Sequence, residues 1–380
     1  MAPRRPGDEL PDALARVTDR AMRNRSHLPL ATVAAASALL VAAPTADAQE
    51  YEMAIATLVP ESLTNNEIWP ALVHFKGLVE TRTDGEVEVS LFGNSQLGSE
   101  VETGSQVQAG GRALQSTVMS SGAMSSFYGK YQAVTAPFLF ESWRQAWTFF
   151  DSQWFADFMR GTIEDANMRY LGTFDDGGGF VAFTNNDKLI ETVDDLEGMN
   201  IRVEENPAHV ATMNALGADA TPLPWGEVQT ALETGLADGQ FNAPVVNTSF
   251  NLDDVTDYTT MTGHVYNTQS WMVSERWYQE LPEDYQRIII HAAQEAIQLA
   301  HGTSGALATA SWQESCEVFE ECYIMPAAER ERMADMARPA WKTWIVEDFG
   351  LDAALIDELL AEVESVGAEL EAQDFERYGQ

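Results

Sequence analysis

Residues 195–244 read DLEGMNIRVEENPAHVATMNALGADATPLPWGEVQTALETGLADGQFNAP, and the only cation among them is Arg202. A short apolar segment, Met199–Val203, leads through Asn206-Pro207 to a helix over Ala208–Leu216 that Gly217 closes. Pro222–Pro224 prepares a second helix over Gly226–Thr234, closed by Gly235, and Phe241–Val246 is extended. Arg202 admits two readings. It makes an ordinary ion pair with Glu204, Glu205 or another of the many carboxylates, or it anchors a ligand carboxylate, which the planar and permanently charged guanidinium fork matches.

The flanks continue the alternation of strand and helix. Tyr51–Val59 reads as a strand, Leu63–Thr81 as a helix with apolar residues at helical spacing, and Val87–Phe92 as an alternating strand after the Asp84-Gly85 turn. That order is the signature of a sheet covered by helices on both faces. A helix over Ser99–Ala109 and a strand over Leu114–Met119 follow. Next comes a small-residue loop, Ser120–Ser126, at a strand end of the kind where α/β sheets bind ligands. Phe138–Phe150 and Trp154–Phe158 are dense in aromatics and read as packing. The strand Met168–Phe174 runs into Asp175-Asp176-Gly177-Gly178-Gly179, which is expected to break regular structure and to mark a domain crossover. Further on, a strand at Trp271–Ser274, a short helix at Glu275–Glu280, a long helix from Pro282 through Ala310, and amphipathic helices over Glu329–Phe349 and Leu351–Glu371 are expected.

With 380 residues, 45% of them hydrophobic, the chain suffices for two packed domains. A net charge of −37 repels nucleic acid and anionic lipid and excludes both as main partners. The six histidines are scattered, and neither HExxH nor GxSxG occurs, so no metal, cofactor or catalytic constellation is expected and enzyme activity is disfavoured. Arg23 and Arg25, the apolar run Leu28–Ala43 and Ala46-Asp47-Ala48 read as a cleaved secretory signal over residues 1–48, with Met22 as a more conventional start. Cys316 and Cys322 can pair across a short loop in an oxidising compartment, but point apart if one helix carries both.

The motifs SQLG (Ser95–Gly98), DLEGMNIRV (Asp195–Val203), ENP (Glu205–Pro207), ALGADATPLPWGEVQTALETGLADGQ (Ala215–Gln240), TGHVY (Thr262–Tyr266) and LPEDYQ (Leu281–Gln286), in this order, resemble the periplasmic substrate-binding proteins of TRAP transporters, DctP type. The resemblance implies an α/β, two-domain periplasmic-binding-protein fold with hinge strands and a long bracing helix. Domain I would comprise 49–178 and about 266–305, and domain II 179–265 with part of 306–380, the C-terminal helices packing across both. It further implies that Arg202 pairs with the substrate carboxylate and that Asn242 reaches the ligand. The local sequence GQFNAP departs from the family, with Phe241 in place of an acid and Ala243 between Asn242 and Pro244. Trp225 is expected as an aromatic wall, with Glu61, Glu100, Ser120 and Ser121 supplying polar groups from the first domain and Phe241 completing the candidate contacts. Many members carry a second arginine on the strand before the IRV segment, where Val181 and Ala182 stand here. A monocarboxylate, a sugar acid or a zwitterion such as ectoine is therefore expected, with Glu61 or Glu100 receiving hydroxyls or a cationic end. TRAP membrane permease subunits are the implied partners and the periplasm the implied location, with no cofactor. A ligand-presenting sensor subunit of the same fold is the alternative, and an exported hydrolase or lyase the third.

Overall fold

Alternating apolar residues in β1 (Tyr51–Ala56) bury Met53 and Ile55 against α1 (Ile68–Arg82), and β2 (Val87–Phe92) pairs parallel with β1. The computed structural model describes residues 51–378, so the signal segment and a start at Met22 lie outside the described residues. The first helix begins five residues later than its apolar spacing suggests. Ser62 Oγ accepts from the amides of Thr64 and Asn65, and Asn66 Oδ1 accepts from the Trp69 amide, so side chains hold this backbone in turns and leave Leu63 exposed. Ser99 and Glu102 form a reciprocal capping box that starts α2 (Glu100–Gln108). After β3 (Ser116–Ser120), the expected small-residue loop is a helix, α3 (Ser121–Phe127), with Ser120 as its N-cap. The aromatic stretches form α4 (Trp143–Phe150) and α5 (Gln153–Met159), and α6 (Gly161–Ala166) follows; Phe149 and Phe155 are fully buried between them.

The Asp-Asp-Gly-Gly-Gly run does not end its strand. β4 (Met168–Asn185) continues past it, with β8 pairing on both sides while Gly177, Gly178 and Gly179 take positive φ angles of 64°, 95° and 76° that other residues rarely adopt. Beyond it come β5 (Asn200–Val203), α7 (Pro207–Ala215), β6 (Asp219–Pro222), α8 (Val228–Thr234) and β7 (Gly239–Asn242). The extended segment expected over Phe241–Val246 stops at Asn242, since Pro244 takes the first turn of α9 (Pro244–Ser249). The strand expected at Trp271–Ser274 is the end of a longer one, β8 (Tyr258–Ser274), followed by α10 (Glu275–Glu280) and by α11 (Glu283–Val318), which runs for 36 residues. The last elements are β9 (Glu321–Ile324), α12 (Ala327–Thr343) and α13 (Ala353–Tyr378).

The strands make one sheet in the order β2-β1-β3-β8-β4-β7-β5-β6, with β9 alongside β8. β4 and β8 are long antiparallel partners shared by both halves. Met168–Asp175 pairs with Thr268–Ser274 beside β3, and Phe180–Asn185 pairs with the Tyr258–Tyr266 end beside β7, with a register shift between Asp175 and Phe180. Separate apolar clusters lie on the two sides of that shift, one around Phe75, Trp271 and Ile289 and another around Val181, Phe183 and Ile201. α11 packs on α1, β4 and α9 and so braces both. Cys316 and Cys322 form a disulfide with Cα atoms 5.1 Å apart, because α11 ends at Val318 and the chain turns into β9 before the second cysteine.

Candidate functional site

A cavity of about 300 Å³ opens between the two halves of the sheet. Leu58, Glu100, Val101 and Ser120 line it from the first half, and Arg202, Glu204, Trp225 and Asn242 from the second. Asp176 and Gln269, on the shared strands, complete its wall.

Alternation along β5 places Arg202 there. Ile201 and Val203 enter the apolar core, which leaves Arg202 for the opposite face. Its Nε and Nη2 both donate to the Leu223 carbonyl, at 3.0 and 2.6 Å, and the guanidinium carbon lies 5.8 Å from the Trp225 ring centre. Arg202 is 2% exposed. Burial pushes its pKa down to about 10, opposed by Glu204 and Glu100, so it stays cationic near neutrality. None of the ion pairs among the described residues involves Arg202, so the pairing with Glu204 or Glu205 that composition invites does not form.

Glu100 opens α2, where its carboxyl accepts from the Ser120 amide at 2.6 Å and from Ser120 Oγ at 2.9 Å. Burial raises its pKa to about 8, which the Ser120 bonds oppose and Glu204 reinforces. Burial and then Glu204 raise Asp176 to about 7. Asn242 ends β7 with Nδ2 donating to Gln240 Oε1 at 2.6 Å, while Trp225 follows Pro224 in a single helical turn and packs edge-on against Phe250.

Three expected contacts lie elsewhere. Glu61 is exposed and accepts from the Gly93 amide and Gln96 Nε2, while Leu58 occupies the cavity wall from this segment. Ser121 sits behind the wall, donating from Oγ to Glu204 Oε2 at 2.9 Å. Phe241 is buried against Phe183 and His264, since strand alternation turns it away from the face that carries Asn242. Val181 enters the apolar core, and Ala182, buried opposite Asn242 in the β4–β7 register, also stays off the cavity wall.

Asp176, Glu204 and Gln269 were not singled out in advance. Asp176 lies in the glycine-rich crossover and Glu204 follows Arg202 by two positions, so both had a positional signal. Gln269 had none, being one polar residue within a long strand, yet its buried amide has no hydrogen-bond partner on either atom. Beneath the cavity, Asp175 accepts from the Tyr266 hydroxyl, Ser304 Oγ and Trp147 Nε1. Nearby Glu67, 1% exposed, accepts from the Gly178 amide and is raised to about 8 by burial and then by Asp175. His209 and His264 are pushed down to about 4 and about 3 by burial, so they serve as neutral rings packed on Phe241. Among the described residues no cluster of ligating side chains could hold a metal ion, and no helix is long and apolar enough to cross a membrane.

Residues 61–348 match the family described as bacterial extracellular solute-binding protein, family 7 (DctP). The chain is similar to a solute-binding protein of Verminephrobacter eiseniae, 32% identical over 239 residues, 60% of this chain and 67% of that one. It is also similar to the ectoine-binding periplasmic protein TeaA of Halomonas elongata, 32% identical over 224 residues, 58% of this chain and 64% of that one. Its fold matches the sugar acid binding protein DctPAm of Advenella mimigardefordensis, solved in complex with galactonate, with a TM-score of 0.77 at 22% identity over 84% of this chain and 100% of that one. These matches span about two thirds of the curated relatives' length and essentially the whole of the solved structure.

Proposed function

The chain belongs to family 7 of the bacterial extracellular solute-binding proteins, and from that premise we propose that it captures a small organic carboxylate in the cavity between its two halves and delivers it to a TRAP membrane permease from the periplasm. The observation that carries this reading is Arg202. It is a buried cation on a cavity wall, with only part of its donor fork used and no carboxylate within ion-pair distance among the described residues. A buried charge left so is costly, and a ligand carboxylate in bidentate contact would offset that cost.

Glu100, Asp176 and Glu204 make the rest of the wall acidic. They place no second cation beside Arg202 for another anionic group, and the carboxyls of Glu100 and Asp176, kept largely protonated by burial, suit a ligand whose far end presents hydroxyls. A monocarboxylate, a sugar acid or a zwitterion fits; a dicarboxylate does not. Trp225 supplies an aromatic wall, and Asn242 and Ser120 supply polar groups. TeaA, named for ectoine, and DctPAm, solved with galactonate, fall within these classes. A thermal-shift panel of sugar acids, hydroxy and keto acids, dicarboxylates, aromatic acids and ectoines tests the reading. Stabilisation by a monocarboxylate or zwitterion and none by dicarboxylates is expected, and a panel that moves the melting temperature only with dicarboxylates refutes it.

A further inference from the structure

Two positions beyond Arg202, the chain bridges the cavity without a ligand. Glu204 Oε2 accepts from Ser121 Oγ at 2.9 Å and from the Gly122 amide at 3.0 Å. Glu204 leaves β5 in the second half of the sheet, whereas Ser121 and Gly122 open α3 in the first. The approach is close. A Cβ on Gly122 would stand 2.9 Å from the Glu204 Cβ, nearer than such atoms come. Two further bridges follow the same seam, the Ala208 amide to Gln132 Oε1 at 3.0 Å and Ser249 Oγ to the Asn65 carbonyl at 2.7 Å.

We propose that Glu204 is a positioning residue for closure: a hook on the strand that carries Arg202, seated on Ser121 and Gly122 only when the two halves are shut. This rests on the reading of the cavity as the ligand cleft. Arg202 and Glu204 point from the same end of β5, so a ligand held on Arg202 and against Glu100 draws the hook toward α3. With the halves apart, the carboxylate recovers water in place of both donors. Its net contribution to closure is then modest and reversible, as a receptor that must release its ligand requires.

Neither Ser121 nor Gly122 lines the cavity, but a methyl at Gly122 would meet Glu204, which does, so Ser121→Ala is the variant that alters closure while leaving the cavity wall in place. The test uses the full chain with spin labels at exposed Gln106 on α2 and Gln229 on α8, and reads the distance between them with and without the best acid from the panel. Ser121→Ala and Gly122→Ala are expected to shrink the closed-distance population and to weaken affinity roughly threefold to tenfold through faster release, and Ser121→Ala to leave the rank order of acids unchanged. Should Gly122→Ala fail to fold, Ser121→Ala alone decides. Wild-type distances and affinities in both variants overturn the proposal. So does a Glu204→Gln variant that reorders the acids while Ser121→Ala does nothing, since Glu204 would then be reading the ligand. If no acid binds the wild type, the reading of the cleft fails, and the ligand-free closed fraction still judges the hook: equal fractions in wild type and variants overturn it.

Discussion

Replacing Arg202 by methionine separates a ligand anchor from a structural arginine, because the two roles predict changes of different sign. In the ligand-free protein, the Arg202→Met variant would lose two hydrogen bonds to the Leu223 carbonyl, worth about 1 kcal/mol each in net terms. It would also remove a charge whose pKa burial has pushed from 12.5 to about 10, a penalty of about 3 kcal/mol to the folded state near neutrality. These nearly cancel, so the melting temperature without ligand should stay the same or rise slightly. Binding should respond very differently. Truncating one partner of a buried, hydrogen-bonded charge pair costs about 2–5 kcal/mol, roughly a 30-fold to several-thousandfold loss of affinity. Isothermal titration of wild type and variant with the most stabilising acid of the panel measures it. A dissociation constant within threefold of wild type, or a large loss of stability in the ligand-free variant, would falsify the anchor.

Other perturbations follow from the same geometry. Glu67, Glu100 and Asp176 keep their protons in the folded chain above the pH at which the unfolded chain loses them, so the folded state binds more protons between about 4 and about 8. Stability of the ligand-free protein should therefore fall as pH rises through this window, by up to about 1.4 kcal/mol per pH unit for each group; Glu67→Gln should flatten the decline in melts from pH 5 to 9, and an unchanged slope counts against the buried carboxyl. Gly178→Ala forces a side chain onto Ala308 at a positive φ and should destabilise by roughly 1–3 kcal/mol in urea melts, whereas a neutral result means the crossover has room. Cys316→Ser should cost about 2 kcal/mol by freeing the short loop between α11 and β9, and a variant as stable as wild type would show that the pairing adds nothing.

Much of this architecture was present in local sequence. The strand Val87–Phe92 and the helix Glu275–Glu280 fall where alternation and spacing place them, Arg202 stands out as the one cation in fifty residues of acid and apolar chain, and the ordered family-like motifs identify the fold. These are local properties, carried by side-chain period, turn residues and caps. What depends on residues far apart in the chain was decided by the tertiary structure alone. β4 survives its glycine run only because β8 pairs with it on both sides, and the helix over Ser121–Phe127 needed a cap at Ser120 that reads equally well as a turn. Phe241 belongs to the core and Glu61 to the surface because neighbouring strands and loops, not composition, settle which face a residue takes. Glu100, Asp176, Glu204 and Gln269 come from four separate elements, and their proximity around one cavity is what burial and mutual repulsion act upon. The sequence alone could nominate the cation; only the folded chain assembles the acid wall opposite it, since electrostatics depends on distance in space and not on distance along the chain.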